Sequence, residues 1–357
     1  MRSALLVLAL ALPACGDNAS LVTTPDAAPI PSTWMEELAP ATGLSVWTPE
    51  FEVDAGKEIQ DCYFFTVPDL KQGADLWVDR LELGLNTGSH HLNLFRVNTV
   101  YGLDPAAGAP VDMNGVSGTV IHDGECWKSA NWRDWPLVAN DQNSPPGHPV
   151  LDWRLPTNVA QRFTPGEKLM LQIHYVNAST QTTPARARGG VNLHWSTDGD
   201  TEELGTLFAT QQSIRICRSN PTPSYSGGCG LPAGAHTVVA ANGHFHSRGQ
   251  AFRIYGWDGL NTDPPADADM FYKSEHWAEP KMAIDLSVPL VDGGGIRWTC
   301  DYQWIEPEVG CAAVDAADPQ HAGDCCYTFG PNVETNEHCN VFLYYYPKAA
   351  RSDITCF

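Results

Sequence analysis

The feature that most constrains this chain is a recurring one: short runs rich in β-branched and aromatic residues, each closed off by Gly, Pro, Asn or Asp. YFFTVP at 63–68, HLNLFRV at 91–97, KLMLQIHYVN at 168–177, GGVNLHW at 189–195 and AFRIYGW at 251–257 are the clearest. Such side chains suit a pleated, half-buried surface, and the intervening residues suit turns. No long stretch sustains the i, i+3, i+4, i+7 apolar spacing of a helix, so the pattern predicts an all-β molecule of sandwiches or barrels. The 12 Trp, 11 Tyr and 12 Phe supply ample core material.

A length of 357 residues accommodates two domains at roughly 100–200 residues each. The polar stretch STDGDTEELGTLFATQQ at 196–212 follows the strand pattern GGVNLHW and marks the division, giving an N-terminal half over 34–197 and a C-terminal half over 198–357. Ahead of them, residues 1–15 combine Arg2, an apolar run from Ala4 to Leu12 and LPAC ending at Cys15, the pattern of a lipoprotein-like signal peptide with Cys15 as the lipidation site. That run is shorter than the about 20 residues a membrane-spanning helix needs. Residues 16–33 contain three prolines and few large apolar side chains, as in a flexible tether. The expected location is therefore the bacterial cell envelope, lipid-anchored or else periplasmic or extracellular, with the anchor as the sole membrane contact.

Charge narrows the partners further. Twenty-one Lys and Arg stand against 42 Asp and Glu, a formal charge of −21, which repels nucleic-acid phosphates. Setting Cys15 aside, ten cysteines remain and none forms a C-x-x-C pair, so up to five disulfides of an oxidising compartment are expected rather than a zinc ribbon or redox dithiol.

Among the 12 histidines, three groups could hold metal. In GHFHS, His244 and His246 are two apart and share one face of an extended chain, although a stable site needs further donors. His90 and His91 are adjacent in TGSHHLNLF; neighbours point apart on a regular strand, so joint ligation requires a twist or a bulge. His174 sits among Leu169, Leu171 and Ile173, where a lone histidine by itself reads as a hydrogen-bonded core residue. His122, His148, His194, His236, His276 and His321 read as structural or surface residues.

Taken in order, HHLNLF, LQIHYVN, GHFH and EHCNVFLYYY resemble the copper type II, ascorbate-dependent monooxygenases, the family of peptidylglycine α-hydroxylating and dopamine β-monooxygenases. The resemblance spans roughly residues 58–347 and includes DCYFFTVP and GGGIRWTCDYQ. It implies two jelly-roll-like antiparallel sandwiches in tandem, one copper ion in each, facing each other across a solvent-filled cleft. His90, His91 and His174 would hold the electron-transfer copper. His244 and His246 would hold the oxygen-activating copper, with His338 at the position of the family's methionine ligand. A third imidazole in place of a thioether still suits copper but also suits zinc.

The substrate positions depart as well. Asn242 and Phe342 stand where the peptide-amidating members place the arginine and tyrosine that hold a carboxylate, so a C-terminal glycine peptide is not the expected substrate; Asn340, Gln172 and Tyr63 match cleft positions. The resemblance pairs Cys300 with Cys339 and Cys62 with a cysteine near Cys126, while Cys217 and Cys229 bridge either each other or later cysteines. It implies a monooxygenase that hydroxylates an activated C–H bond of a small-molecule or peptide substrate, using O2, two copper ions and an external reductant such as ascorbate, with His244, His246 and His338 at the reaction centre. The alternatives are a copper-buffering lipoprotein without turnover and a three-histidine zinc hydrolase.

Overall fold

The computed structural model describes residues 34–86, 89–97, 120–121, 135–142, 150–177, 184–197, 199, 202–260, 267–275, 277, 282–305, 312–313, 324–330, 333, 335–349 and 353–357. Residues 1–33, where a signal peptide and tether are expected, and Cys15, Cys126, His122, His148, His276 and His321 lie outside them. The chain is all-β, and the described residues include one helical element, a three-residue 3-10 turn at Asp267–Asp269.

Two sheets form the N-terminal sandwich. One runs in the order Gly43–Trp47, Gly189–Trp195, Leu76–Leu85, Val159–Phe163 and Glu202–Glu203, with Val150–Arg154 also paired to Leu76–Leu85. The other runs Val120–Ile121, Lys57–Thr66, Lys168–Asn177, Ser89–Arg96, Leu137–Asp141. Period-two alternation sets what each face meets. Leu81, Leu83, Val191 and Leu193 on the first sheet share one core with Leu92, Leu94, Leu171 and Ile173 on the second. Gly189 makes the approach possible, because a Cβ there would fall 2.3 Å from Ile173 Cδ1.

In the C-terminal half, the sheet Val288–Leu290, His236–His244, Asn340–Tyr346, Gly205–Thr210, Ile354–Cys356 buries Val341, Leu343, Leu207, Ala209 and Ala241. These residues meet Phe252, Ile254, Ile296 and Trp298 of the sheet Ser224–Gly230, Gly295–Tyr302, Gly249–Trp257, Met270–Ser274. Among the described residues, the disulfides Cys217–Cys326, Cys229–Cys356 and Cys300–Cys339 brace this half. Cys217 and Cys229 thus each bridge a later cysteine, and Cys62 and Cys325 are also disulfide-bonded.

The segment 196–212 is not wholly a linker. Glu202–Glu203 pairs in parallel with Val159–Ala160 of the first half, and Gly205–Thr210 is a fully buried strand paired with Asn340–Tyr346. The acidic residues before GTLFAT hide a short apolar strand that only its partners reveal. Described ladders change from one half to the other at Leu204.

The outer face of the second half packs against the first half. Phe208, Ala240, Phe342 and Tyr344 of the second half join the core cluster of the first, and Trp153 stacks edge-on against Tyr344 with ring centroids 4.9 Å apart. At this junction the halves are in side-chain contact. The physical reason lies in residue type, since large apolar side chains on both faces favour burial over hydration.

Candidate metal centre

Lys168–Asn177 places His174 directly opposite His91 on one side and Gln60 on the other, so all three share a face with Gln172, Asn93 and Cys62. The ladder then slips: His174 pairs with His91 while Tyr175 pairs with Ser89, which leaves His90 as the extra residue of a β-bulge. A bulge sets two residues against one and turns both toward the same side. The three rings accordingly gather, with centroids 5.2 Å apart for His90–His91, 5.0 Å for His90–His174 and 5.1 Å for His91–His174.

From the second half, His236–His244 ends at His244, opposite Asn340. His246 follows on the same side, while Phe245 turns into the C-terminal core and stacks on Phe252 at 5.9 Å. The His244 and His246 centroids are 5.0 Å apart, and His338 lies 5.0 Å from His244 and 4.2 Å from His246.

These are not two remote groups. His90 lies 5.1 Å from His244 and 5.5 Å from His246, and His91 lies 5.1 Å from His244. Among the described residues, the histidine nitrogens that come within 4.8 Å of one another form two trios: His90, His91, His174 and His90, His244, His246. The first is the trio that the sequence motifs imply. In the second, His90 occupies the place expected of His338, whose ring stands at the margin against Phe329 at 4.9 Å.

Hydrogen bonds fix the tautomers. His91 Nε2 lies 3.0 Å from Gln172 Oε1, which also accepts from Asn93 Nδ2 at 2.9 Å, so His91 donates from Nε2 and keeps its lone pair on Nδ1. His174 Nε2 faces the Glu58 carboxylate at 3.1 Å, and His246 Nδ1 donates to the Asn336 carbonyl at 3.1 Å. Toward the cluster, His90 Nε2, His91 Nδ1, both nitrogens of His244 and His338 Nδ1 are buried with no hydrogen-bond partner. An orphaned buried polar atom costs about 1–3 kcal/mol, so several together consume a sizeable part of a domain's net stability of roughly 5–15 kcal/mol. Lone pairs converging in a buried space suit an ion that accepts them, and an all-imidazole donor set suits copper or zinc. Burial first, then repulsion from the neighbouring rings, holds His90, His91, His244 and His338 well below the usual histidine range and so keeps them neutral.

The remaining positions sort by face. Gln172 braces His91 as described, and Asn340, Asn242 and Phe342 lie buried on the His244 face. Asn340 accepts from Thr210 Oγ1 at 2.7 Å. Tyr63 is a correction: it pairs with Leu171, on the face opposite His174, and packs in the sandwich core, because one residue of strand register reverses the side presented. His194 bonds the Glu82 carboxylate at 2.7 Å, and His236 lies between the carbonyls of Pro347 and Pro232, both away from the cluster.

Glu337 was not singled out in the sequence. Fully buried, it accepts the backbone N–H of His246 at 2.8 Å and of Arg248 at 2.7 Å, and so ties the turn bearing His246 to the segment bearing His338. Burial pushes its carboxyl up to about 8 against those two N–H groups, and the Arg248 guanidinium lies 3.9 Å away. The signal available was its place beside His338. Its burial depends on the partners it meets in the fold and is not legible in the sequence.

No family model and no curated protein sequence matches this chain. Among solved structures, the major capsid protein P2 from Bacteriophage PM2 aligns over 87% of this chain and 98% of its own, at 10% identity and a TM-score of 0.31. The infectious bursal disease virus VP2 subviral particle aligns over 92% and 81%, at 9% identity and a TM-score of 0.17. Superpositions this loose bear on neither the fold nor the chemistry.

Proposed function

We propose that this chain is an exported copper-dependent oxidoreductase of the monooxygenase type, anchored to the bacterial envelope through Cys15. The observation that carries the reading is the convergence of five buried histidines from both halves, His90, His91, His174, His244 and His246, with His338 at the margin and with unpartnered nitrogens on His90, His91 and His244. The order of their motifs supports the choice of copper, and the disulfides agree with an oxidising compartment. Bound copper would supply one-electron redox chemistry toward O2 and an external reductant. His90, His91 and His174 would hold one ion, and His244 and His246 the other, together with His90 or His338. Gln172 and Glu58 orient their imidazoles, and the apolar junction keeps bulk water from the cluster.

Burial of five of the six rings also favours a second reading, a copper-buffering protein without turnover. His174 and His246 are wholly inaccessible, which suits retention of an ion better than access for a substrate. One experiment separates the two. The purified chain is loaded with Cu(II), its EPR signal recorded, and ascorbate added under air. Loss of the Cu(II) signal with sustained copper-dependent O2 consumption supports the oxidoreductase. Copper uptake without O2 consumption supports the buffer, and preference for Zn(II) over both copper states overturns each in favour of the hydrolase.

A further inference from the structure

We infer that the six histidines form one coupled two-ion centre in which His90 is a shared, exchangeable ligand and His338 is the relief ligand that lets both ions bind at once. The inference rests on the reading that the cluster holds metal, and it concerns how the ions are divided.

Counting donors gives the first argument. His90 belongs to both nitrogen trios, so His91 with His174 and His244 with His246 compete for a single imidazole. A histidine directs one lone pair at one ion, because the other ring nitrogen carries the proton. An ion that takes His90 therefore leaves the opposite pair one ligand short, and two protein ligands seldom make a stable site. His338, at the margin and outside both nitrogen trios, is the remaining imidazole beside one of these pairs only. Its ring is 4.2 Å from His246 and 5.0 Å from His244, and its Nδ1 is buried with no hydrogen-bond partner.

Position in the fold gives the second. His91 and His174 face each other across a regular ladder, and His91 is further tied to Gln172. His90 is the bulged residue, outside the paired register, and its Nε2 has no hydrogen-bond partner. Within its own strand it is the one ligand without a ladder partner, with neighbouring rings 5.0–5.5 Å away on both sides. With one ion present, His90 sits with either pair. With two, His90 serves His91 and His174, and His338 completes His244 and His246.

Zn(II) titration of the full chain by calorimetry, with metal content measured after dialysis, tests this without redox turnover. The wild type should bind two ions, the second about tenfold or more weaker than the first, the size of an ordinary coupling between sites. His338→Ala should bind one ion, since both pairs then depend on His90; His90→Ala should also bind one, at the His244, His246, His338 set. If His338→Ala does not fold, as judged by far-UV circular dichroism, His338→Gln is read the same way. Two equal, independent sites in the wild type, or two ions at unchanged affinity in either His338 variant, overturn the sharing while leaving the copper reading intact. No metal uptake overturns both.

Discussion

At the scale of single residues, the cluster depends on positions beside the ligands as well as on the ligands themselves. A Cβ on Gly249 would fall 1.8 Å from Cδ2 of Phe245, and one on Gly243 would fall 2.3 Å from Phe252. These two glycines let the stacked Phe245 and Phe252 seat themselves, and Phe245 is the residue between the two ligands. Gly249→Ala should cost about 1–3 kcal/mol through overpacking. It should also weaken metal binding at His244 and His246, measured by urea unfolding and by Zn(II) titration; unchanged affinity would mean that Phe245 does not set the spacing. Gln172→Leu is the corresponding test in the first half. It removes the acceptor of both His91 Nε2 and Asn93 Nδ2, and should lower stability by about 1–3 kcal/mol and metal affinity by about 10–100-fold.

At the scale of strands, the outer face of the first sheet carries a charged ladder. Arg80 bonds Asp152 at 2.7 Å and Glu82 at 2.8 Å, while Glu82 also accepts from His194 and Asn192. Burial alone would raise Glu82, but the hydrogen bonds from Asn192 and His194 and the charge of Arg80 bring it net below its ordinary 4.5. The Arg80 hydrogen bond likewise lowers Asp152 below 3.8. A depressed carboxyl contributes stability that is fully present above its unfolded value and is lost as pH falls through its folded value. The urea midpoint should therefore decline below about pH 4.5. Glu82→Gln should be less stable at neutral pH and show a shallower acid decline, and parallel curves would exclude Glu82 as a contributor.

For the whole molecule, the junction between the halves decides whether the six histidines meet. Trp153 is nearly inaccessible on its strand in the first half and stacks on Tyr344 in the second. Trp153→Ala should cost about 3–5 kcal/mol and split thermal unfolding into two transitions. The same variant should lose the coupling between the first and second metal ions, because His90 no longer sits within reach of the opposite pair. A single transition with coupling retained would locate the junction's stability elsewhere.

Strand character and the identity of most candidate ligands were legible in the chain itself, because alternation and turn residues act over a few positions. YFFTVP, HLNLFRV and KLMLQIHYVN lie largely within strands Lys57–Thr66, Ser89–Arg96 and Lys168–Asn177. That His90 and His91 could act together required a bulge, and the bulge exists only through the register of Ser89–Arg96 against Lys168–Asn177, which lies about eighty positions on. Strand Gly205–Thr210, the burial of Glu337 and the packing of Tyr63 into the sandwich core likewise depend on partners distant in sequence. Whether His90 comes within reach of His244 and His246 depends on the contact between the two halves. Local pattern determines what each strand offers, whereas long-range register and the burial of one sandwich against the other determine which imidazoles share a space.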